Sequence, residues 1–390
     1  MWGEQLMAYF DNAATTFPKP ECVYDFMNTF YRECGGNAGR GSHKLSLGAG
    51  KMVSETRNRL KQLLHCENKQ IIFTPSATIA LNMILQGVLN GKMTAKANVY
   101  ISPFEHNAVT RILHHYEKTG KINVKLLAIK ENLTYDFKKN QAQFTKEKPD
   151  LMVVSHASNV IGLISPVEKL CSMAKKYKAV TVIDLAQTAG LVDINVGLET
   201  IDFAVFAGHK TLYGPTGISG FAMKSDFGLE PVLFGGTGFE SANQDMPNDI
   251  PQRYEMGTLN IAGIAGLHAS IGWILENGVD TLWKKEQKHR KKLLDILSSY
   301  DFIRIVGVDG ENDYVGIISC IIDGLPSDTA ASVFAEKNIA VRSGLQCAPL
   351  AHKTLGTFPS GTIRFSCSAF TGDADFNELN GSLDWIKGNL

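Results

Sequence analysis

The chain has 390 residues, of which 44% are hydrophobic and 20% are charged, and 39 lysines and arginines balance 39 aspartates and glutamates (39 − 39 = 0). At about 150 residues per domain, this length predicts two or three domains, each able to bury its own core. Because zero net charge provides no overall basic field for phosphate backbones or anionic lipids, we expect neither nucleic acid nor a membrane surface as a partner.

Short apolar runs alternate with stretches of helical periodicity between residues 70 and 225. The runs lie at 70–73, 98–101, 151–154, 180–183, 203–206 and 219–223. Because they are apolar on both faces, they predict the strands of a mostly parallel sheet. Helices are predicted between them at 78–89, 105–116 and 167–178. Polar residues that follow each strand then lie at the carboxyl edge of the sheet, where open α/β sheets bind ligands.

A second region follows the glycine-rich loop at 234–238. Amphipathic and charged stretches at 261–275 and 283–297 predict a long helical connector. Beyond it, strands are predicted at 314–322, 339–341 and 362–365, and helices at 328–336 and 377–386. The sequence therefore predicts an α/β protein with a large sheet domain and a smaller C-terminal α+β domain.

The cysteines and the N-terminus indicate the compartment. Seven cysteines, at positions 22, 34, 66, 171, 320, 347 and 367, are scattered and odd in number, and no two are separated by just two residues. We therefore expect no disulfide framework and no metal site. The first ten residues lack the pattern of a secretory signal, and the apolar stretch 259–275 is interrupted by Asn260 and His268. A cytoplasmic protein without a membrane span is predicted.

Three features at the predicted sheet edge favour one kind of chemistry. Lys210 follows an apolar strand between glycines, and Asp184 ends the preceding strand, where an unpaired carboxylate would be costly without a cation. The segment Phe73-Thr-Pro-Ser-Ala-Thr78 leads into an apolar helix and offers hydroxyls and free N–H groups that can hold phosphate. An anion site, a carboxylate for a ring nitrogen and an amine for covalent attachment are what pyridoxal 5'-phosphate requires.

With these features the chain resembles a class V aminotransferase-fold enzyme, most closely a cysteine desulfurase of the short-loop type, which includes the selenocysteine lyases. The resemblance extends from Tyr9-Phe-Asp-Asn-Ala-Ala-Thr-Thr16 to Ile363-Arg-Phe-Ser366. It implies fold type I of the pyridoxal-phosphate-dependent transferases, with a mostly parallel seven-stranded sheet between helices in a large domain, 16–255. Residues 1–15 and 256–390 would form the small domain. The resemblance also implies a homodimer.

The resemblance assigns residues to the cofactor. Lys210 would bind it covalently and move the substrate Cα proton, and Asp184 would keep its ring nitrogen protonated. His106 would stack on the ring and pass a proton to or from the substrate sulfur. The other implied cofactor contacts are Gln187 and Asn159 near the ring oxygen, and Ser76, Ala77, Thr78, His209 and, from the second subunit, Thr258 at the phosphate.

Two further residues bear on the substrate. Arg364 lies in an apolar strand, where a guanidinium needs a carboxylate partner, and it matches the family's clamp for the substrate carboxylate. A structural salt bridge is the alternative. Cys347, in a loop punctuated by glycine and proline, matches the nucleophilic cysteine, and a nearby cation such as Arg342 would raise its thiolate fraction. The resemblance also places these residues at the substrate: Asn159, Arg342, Asn12, Arg40 and His43.

The chain departs from the family pattern at three places. Ala207 stands where the lysine motif usually has a hydroxyl residue for the phosphate, which implies one fewer anchor. Leu345-Gln346 and Gly39 replace histidines that are common in short-loop enzymes.

Three residues also have a purely structural alternative to a role in the site. Thr78 would cap a helix, Asn159 would close a turn, and His156 would be a satisfied core histidine.

The predicted reaction converts L-cysteine to L-alanine and leaves the sulfur on Cys347 as a persulfide, which a sulfur-acceptor protein would collect. One alternative is a selenocysteine lyase, in which Cys347 matters less. Another is an aminotransferase or a β- or γ-lyase of the same fold that releases a keto acid. A regulatory or scaffold protein would need neither Lys210 nor Cys347, and the glycine-rich stretches lack the strand–GxGxxG–helix setting of a nicotinamide dehydrogenase.

Overall fold

The computed structural model describes residues 7–39, 41–93, 96–308 and 312–389. Its helices are α1 (Glu21–Cys34), α2 (Lys44–Leu63), α3 (Ala77–Gly91), α4 (Asn107–Lys118), α5 (Phe137–Lys146), α6 (Val167–Lys175), α7 (Ile261–Asn277), α8 (Val279–Ser298), α9 (Ser327–Glu336), α10 (Pro349–Thr354) and α11 (Asp373–Lys387). Its strands are β1 (Ala8–Tyr9), β2 (Lys69–Thr74), β3 (Ala97–Ile101), β4 (Ile122–Leu126), β5 (Leu151–Ser155), β6 (Val180–Asp184), β7 (Phe203–Ala207), β8 (Ser219–Lys224), β9 (Ile303–Val306), β10 (Ile317–Ile322), β11 (Ile339–Ala340), β12 (Arg342–Gly344) and β13 (Thr362–Ser366).

The central sheet has seven strands in the order β2-β8-β7-β6-β5-β3-β4. Strand β8 is antiparallel to both of its neighbours, and the remaining pairs are parallel. The prediction of a mostly parallel sheet is therefore confirmed, and all six predicted strands are present. The carboxyl ends of six strands meet at one edge of the sheet, which is where the predicted site residues lie.

Both faces of this sheet are covered by helices. On one face, Val153, Val182 and Val205 pack beneath α3 and α4. On the other face, Val154 and Ile183 pack against α2, α6 and α7. Because side chains of both orientations are buried, these strands have continuous apolar sequences instead of alternating ones.

A second sheet, in the order β12-β13-β10-β9, is antiparallel and packs with α8, α9 and α11. The predicted strand at 314–322 begins only at Ile317. The predicted helical connector is two helices, because Gly278, with φ of 81°, separates α7 from α8. The domain boundaries given above stay a prediction. Within the described ranges, no helix is long and apolar enough to span a membrane.

Candidate active site

A cavity of about 210 Å³ opens at the carboxyl edge of the central sheet. Most of the residues predicted for the cofactor line it together: Ser76, Ala77, Thr78, His106, Asn159, Asp184, Gln187, His209 and Lys210. They come from loops that are far apart in the sequence, and the parallel strands bring them to one edge.

Asp184 and Lys210 form the charged centre of the cavity. Asp184 ends β6, and its Oδ1 accepts a hydrogen bond from the Ala186 N–H at 2.9 Å. Burial raises the pKa of this carboxyl, while the Ala186 bond and the charge of Lys210 partly oppose the rise. Burial also lowers the pKa of the Lys210 amine to about 8, although the Asp184 charge opposes this. An amine that loses its proton this readily is suited to act as a nucleophile and a base near neutral pH.

The backbone around Lys210, from Gly208 to Gly214, is held in place by close contacts and hydrogen bonds. Gly208 leaves no room for a side chain, because a Cβ there would lie 2.4 Å from the Ile218 carbonyl oxygen. The Gly208 carbonyl accepts a hydrogen bond from the Gly214 N–H at 2.7 Å. From the other side, the Lys19 amine donates to the His209 carbonyl at 2.8 Å. The loop therefore presents Lys210 to the cavity from a tight, cross-braced turn.

His106 caps α4, where its Nδ1 accepts a hydrogen bond from the Ala108 N–H at 3.0 Å. Burial, followed by the positive charges of Lys210, Arg111 and Arg364, lowers the pKa of the imidazole to about 4. The ring is therefore neutral near pH 7, and because Nδ1 accepts, the remaining proton is assigned to Nε2. A neutral ring with one donor can stack on a flat cofactor and exchange a proton with a substrate.

The first turn of α3 forms another part of the cavity lining. Ser76 caps this helix, because its Oγ accepts from the Ile79 N–H at 3.2 Å. The structural alternative for Thr78, a helix cap, is therefore wrong. The N–H groups of Ala77 and Thr78 have no partner within the helix and carry the positive end of its dipole. They are suited to hold an anion.

Two buried polar atoms support a phosphate in this part of the cavity. His209 Nδ1 and Ser219 Oγ have no hydrogen-bond partner in the part of the chain that the structure describes. Ser219 lies directly opposite Ala207 in the β7–β8 register, so their side chains share one face of the sheet. Ser219 thus offers a hydroxyl beside the position where Ala207 lacks one. Unsatisfied buried groups need an explanation, and together with the α3 N-terminus they fit the phosphate of pyridoxal 5'-phosphate.

Glu105 is a buried acid that the sequence did not single out. Its two carboxyl oxygens accept hydrogen bonds from the Ser155 N–H at 2.6 Å and the Ser155 hydroxyl at 2.8 Å. Ser155 lines the cavity and pairs with Asp184 in the β5–β6 register. Burial raises the pKa of Glu105 to about 8, although the Ser155 bonds oppose the rise. In the sequence, only its position next to His106 indicates that Glu105 lies near the site.

Glu105 gives the protein a measurable pH dependence. Its folded-state pKa is raised from 4.5 to about 8, so the folded state keeps a proton that the unfolded chain loses between these values. The stability that Glu105 contributes is therefore complete below pH 4.5 and is lost as the pH rises towards 8. Glu105→Gln should gain stability relative to wild type across this window, by at most about 1.4 kcal/mol per pH unit. Urea unfolding of both proteins without cofactor, at several pH values, measures this difference. If the free energies of unfolding of the two proteins changed in parallel with pH, this prediction would be contradicted.

Arg364 is held by two groups of the protein. Its Nη1 donates to the Asn159 carbonyl at 2.9 Å, and its Nη2 donates to Asp11 Oδ1 at 2.8 Å. The predicted alternative, a structural ion pair, is thus present, with Asp11 as its partner. Nε is buried without a partner among the described residues. Because a guanidinium has five N–H groups, this leaves donors for a second carboxylate.

Cys347 lies outside the cavity but close to it. The thiol residue is exposed and lines an open groove of about 530 Å³ that Thr78 and His106 also line. The Cys347 carbonyl accepts from the Asn107 N–H at 2.7 Å. His106 is therefore shared by the groove that contains the thiol and the cavity that contains Lys210.

Three of the predicted residues make mainly structural contacts. The Asn12 amide donates to the Ser366 carbonyl at 2.9 Å and to the Tyr9 carbonyl at 3.2 Å. His43 is exposed and caps α2, where its Nδ1 accepts from the Ser46 N–H at 3.3 Å. The Gln187 side chain lines the cavity but already donates to the Ala13 carbonyl at 3.0 Å.

Two other predicted residues, Thr258 and Arg342, do not line this cavity. Thr258 lines a separate cavity, and Arg342 is exposed opposite Arg364 in the β12–β13 register. Arg40 lies outside the described residues. His156 is a satisfied core histidine, because its ring is buried, its Nδ1 lies 3.0 Å from Thr188 Oγ1, and burial lowers its pKa to about 4. The described ranges contain no group of three or more His, Cys, Asp or Glu side chains arranged to hold a metal ion.

Known proteins share this fold over nearly its whole length. A protein-family model, aminotransferase class-V, matches residues 8–379. A relative from Pyrococcus abyssi, described as a probable cysteine desulfurase, is 31% identical over 99% of this chain and 96% of its own. Another probable cysteine desulfurase, from Methanothermobacter thermautotrophicus, is 30% identical over 97% of this chain and 94% of its own. The apo structure of a cysteine desulfurase from Thermococcus onnurineus NA1 matches with a TM-score of 0.89 and 27% identity, over 98% of this chain and 95% of that one.

Proposed function

Because the chain belongs to the class V aminotransferase family, and within it to the cysteine desulfurases, we propose that it converts L-cysteine to L-alanine and takes the sulfur onto Cys347 as a persulfide. One observation carries the proposal. His106 lines both the cavity of Lys210 and the groove of Cys347, so a small substrate beside His106 would lie between the base and the thiol. A cysteine substrate needs both groups, one for its Cα proton and one for its sulfur.

The cavity residues would hold pyridoxal 5'-phosphate. Lys210 would attach it covalently, and Asp184 would face its ring nitrogen. The N–H groups of Ala77 and Thr78 and the unpartnered polar atoms of His209 and Ser219 would bind the phosphate. When bound, this cofactor withdraws electrons from the substrate and thereby lowers the barrier to removing its Cα proton.

The protein's own residues then move the proton and the sulfur. Arg364 binds the substrate carboxylate through its remaining N–H groups, and the free Lys210 amine takes the Cα proton. The Cys347 thiolate attacks the substrate sulfur. A sulfur–sulfur bond forms, and the carbon–sulfur bond breaks with its electron pair passing to carbon. His106 gives its Nε2 proton to that carbon and regains one from the substrate thiol, and Lys210 returns its proton to Cα, which yields alanine. The persulfide on the exposed Cys347 is then accessible to an acceptor.

Substrate recognition by Arg364 can be tested with a conservative change. Arg364→Lys keeps a positive charge but loses the planar fork that binds a carboxylate with two hydrogen bonds. We expect KM for cysteine to rise about tenfold to a hundredfold, which corresponds to the loss of a charged hydrogen bond of about 1.5–3 kcal/mol. Steady-state kinetics measure this change. An unchanged KM would show that Arg364 does not bind the substrate and serves only its structural contacts with Asp11 and Asn159.

The products distinguish this function from the alternatives. The purified protein, loaded with pyridoxal 5'-phosphate, is supplied with L-cysteine and a reductant, and alanine and keto acids are quantified. Alanine in equal amount to the released sulfide supports a desulfurase, whereas a keto acid indicates an aminotransferase or a lyase of another type. If cysteine gives no product, L-selenocysteine is tested next, and alanine from it alone would indicate a selenocysteine lyase.

We also propose that the active form is a homodimer. Leu233 and Phe234 expose 40% and 71% of their surfaces in the loop that follows β8. An apolar cavity that includes Leu233, Met256 and Thr258 lies beside this loop. Exposed apolar groups of this size favour burial against another chain, and a second copy would bring Thr258 to a neighbouring phosphate site. Light scattering of the purified protein distinguishes a dimer from a monomer.

A further inference from the structure

The residue before the thiol has an unusual backbone. Gln346 and Cys347 are consecutive non-glycine residues with φ values of 41° and 58°. For residues other than glycine, the left-handed region costs roughly 1–2 kcal/mol each. Such a conformation persists only where surrounding contacts enforce it, and strained backbone of this kind is concentrated at functional sites. The contacts of Gln346 are therefore informative.

The Gln346 side chain is buried and bonded at both ends. Its Oε1 lies 2.8 Å from His352 Nε2, and its Nε2 donates to the Thr362 carbonyl at 3.0 Å. His352 is fully buried, and its Nδ1 lies 2.7 Å from Thr357 Oγ1. Because a glutamine Oε1 can only accept, Nε2 of His352 carries the ring proton, and Nδ1 accepts from the Thr357 hydroxyl. Every polar side-chain atom of Gln346, His352 and Thr357 therefore has a hydrogen-bond partner.

The main chain around the thiol is held from the other side, by the elements of the central sheet. The Asn159 side-chain amide donates to the Gln346 carbonyl at 2.6 Å. The Asn107 N–H donates to the Cys347 carbonyl at 2.7 Å. Asn159 lines the Lys210 cavity, and Asn107 follows His106 at the start of α4. The backbone of Gln346 and Cys347 is thus held between residues that line the cavity and residues of the second sheet.

We propose that Gln346 is a positioning residue that, with His352 and Thr362, fixes the Cys347 thiol at the mouth of the groove for attack on the substrate sulfur. This inference rests on the proposed function. Gln346 occupies one of the positions where the chain departs from the family pattern. Displacing a nucleophile by as little as 1 Å can cost about a hundredfold in rate.

The test compares Gln346→Ala with two variants of α10. His352→Gln retains an N–H that can donate to Gln346, and Lys353→Ala removes the neighbouring exposed side chain as a control. All are assayed well below their melting temperatures. We expect Gln346→Ala to lower kcat for alanine formation at least about tenfold, with KM for cysteine changed less than about twofold. His352→Gln should keep most of the wild-type rate, and Lys353→Ala should match wild type. If Gln346→Ala fails to fold, His352→Leu replaces it, because this change removes the ring that donates to Gln346 and leaves Gln346 itself unchanged.

A second measurement separates this proposal from the proposed function. Amide hydrogen exchange of the cofactor-free protein should be at least about tenfold faster in the peptide that contains Cys347 when Gln346 is alanine, because the left-handed backbone loses its support. This readout requires no turnover, so it is informative even if wild type makes no alanine. Unchanged exchange in Gln346→Ala would overturn the inference. Faster exchange and lower melting temperature with an unchanged kcat would also overturn it, because the pair would then be merely structural.

Discussion

A Lys210→Ala variant is expected to lose turnover of cysteine by at least about 10³-fold, and with it the covalent link to the cofactor. The reason is that Lys210 supplies both the attachment point and the base, and a positioned base alone contributes about 10²–10⁴-fold. Its buried amine, with a pKa lowered to about 8, is suited to both roles. Alanine production measures the first effect. Mass spectrometry after borohydride reduction, which makes the link permanent, measures the second.

Lys19 provides a matched control for this change. It is also a half-buried lysine whose pKa is lowered, to about 7, by partial burial, and its amine lies 2.8 Å from the His209 carbonyl. It does not line the cavity. Lys19→Ala should therefore keep the reducible link to the cofactor. A link that survives in Lys210→Ala would reject the assignment of Lys210.

Cys347→Ser is expected to stop alanine formation, again by at least about 10³-fold, while the cofactor stays bound. A hydroxyl is a far weaker nucleophile than a thiolate. The cofactor should stay bound because its attachment to Lys210 does not involve the thiol. Cys22→Ser is the appropriate control, because Cys22 is exposed like Cys347 but lies on α1. Alanine is quantified for all three proteins, and visible absorbance reports the bound cofactor. Continued alanine formation in Cys347→Ser would show that sulfur leaves without this thiol.

The elements that the sequence predicts well are those buried on both faces. The strands β5, β6 and β7 are five-residue apolar runs with every residue buried, so their sequences carry a clear signal. In contrast, β4 has polar residues at alternate positions, and β12 has three residues with none buried. The alternation in β4 is a strand signal that the prediction missed, whereas β12 is too short and too exposed for a local pattern to identify it.

The residues of the site likewise divide into those with a local sequence signal and those without one. Lys210 and Asp184 could be predicted because each follows or ends an apolar strand, where a charge is conspicuous. The partner of Arg364 could not be predicted, because Asp11 lies 353 residues away. The contact of Gln346 with His352 was missed for a different reason. The two residues are close in sequence, but only the left-handed turn at Gln346 and Cys347 directs that side chain inwards.

The most direct test of the account is the fate of the sulfur in one turnover. The loaded protein is mixed with an equal amount of L-cysteine, without reductant, and its peptides are analysed by mass spectrometry while alanine is quantified. We predict that the peptide containing Cys347 gains one sulfur atom for each alanine formed, and that a reductant reverses the gain. Alanine formed with no sulfur on Cys347, or a keto acid in its place, would contradict the proposed function.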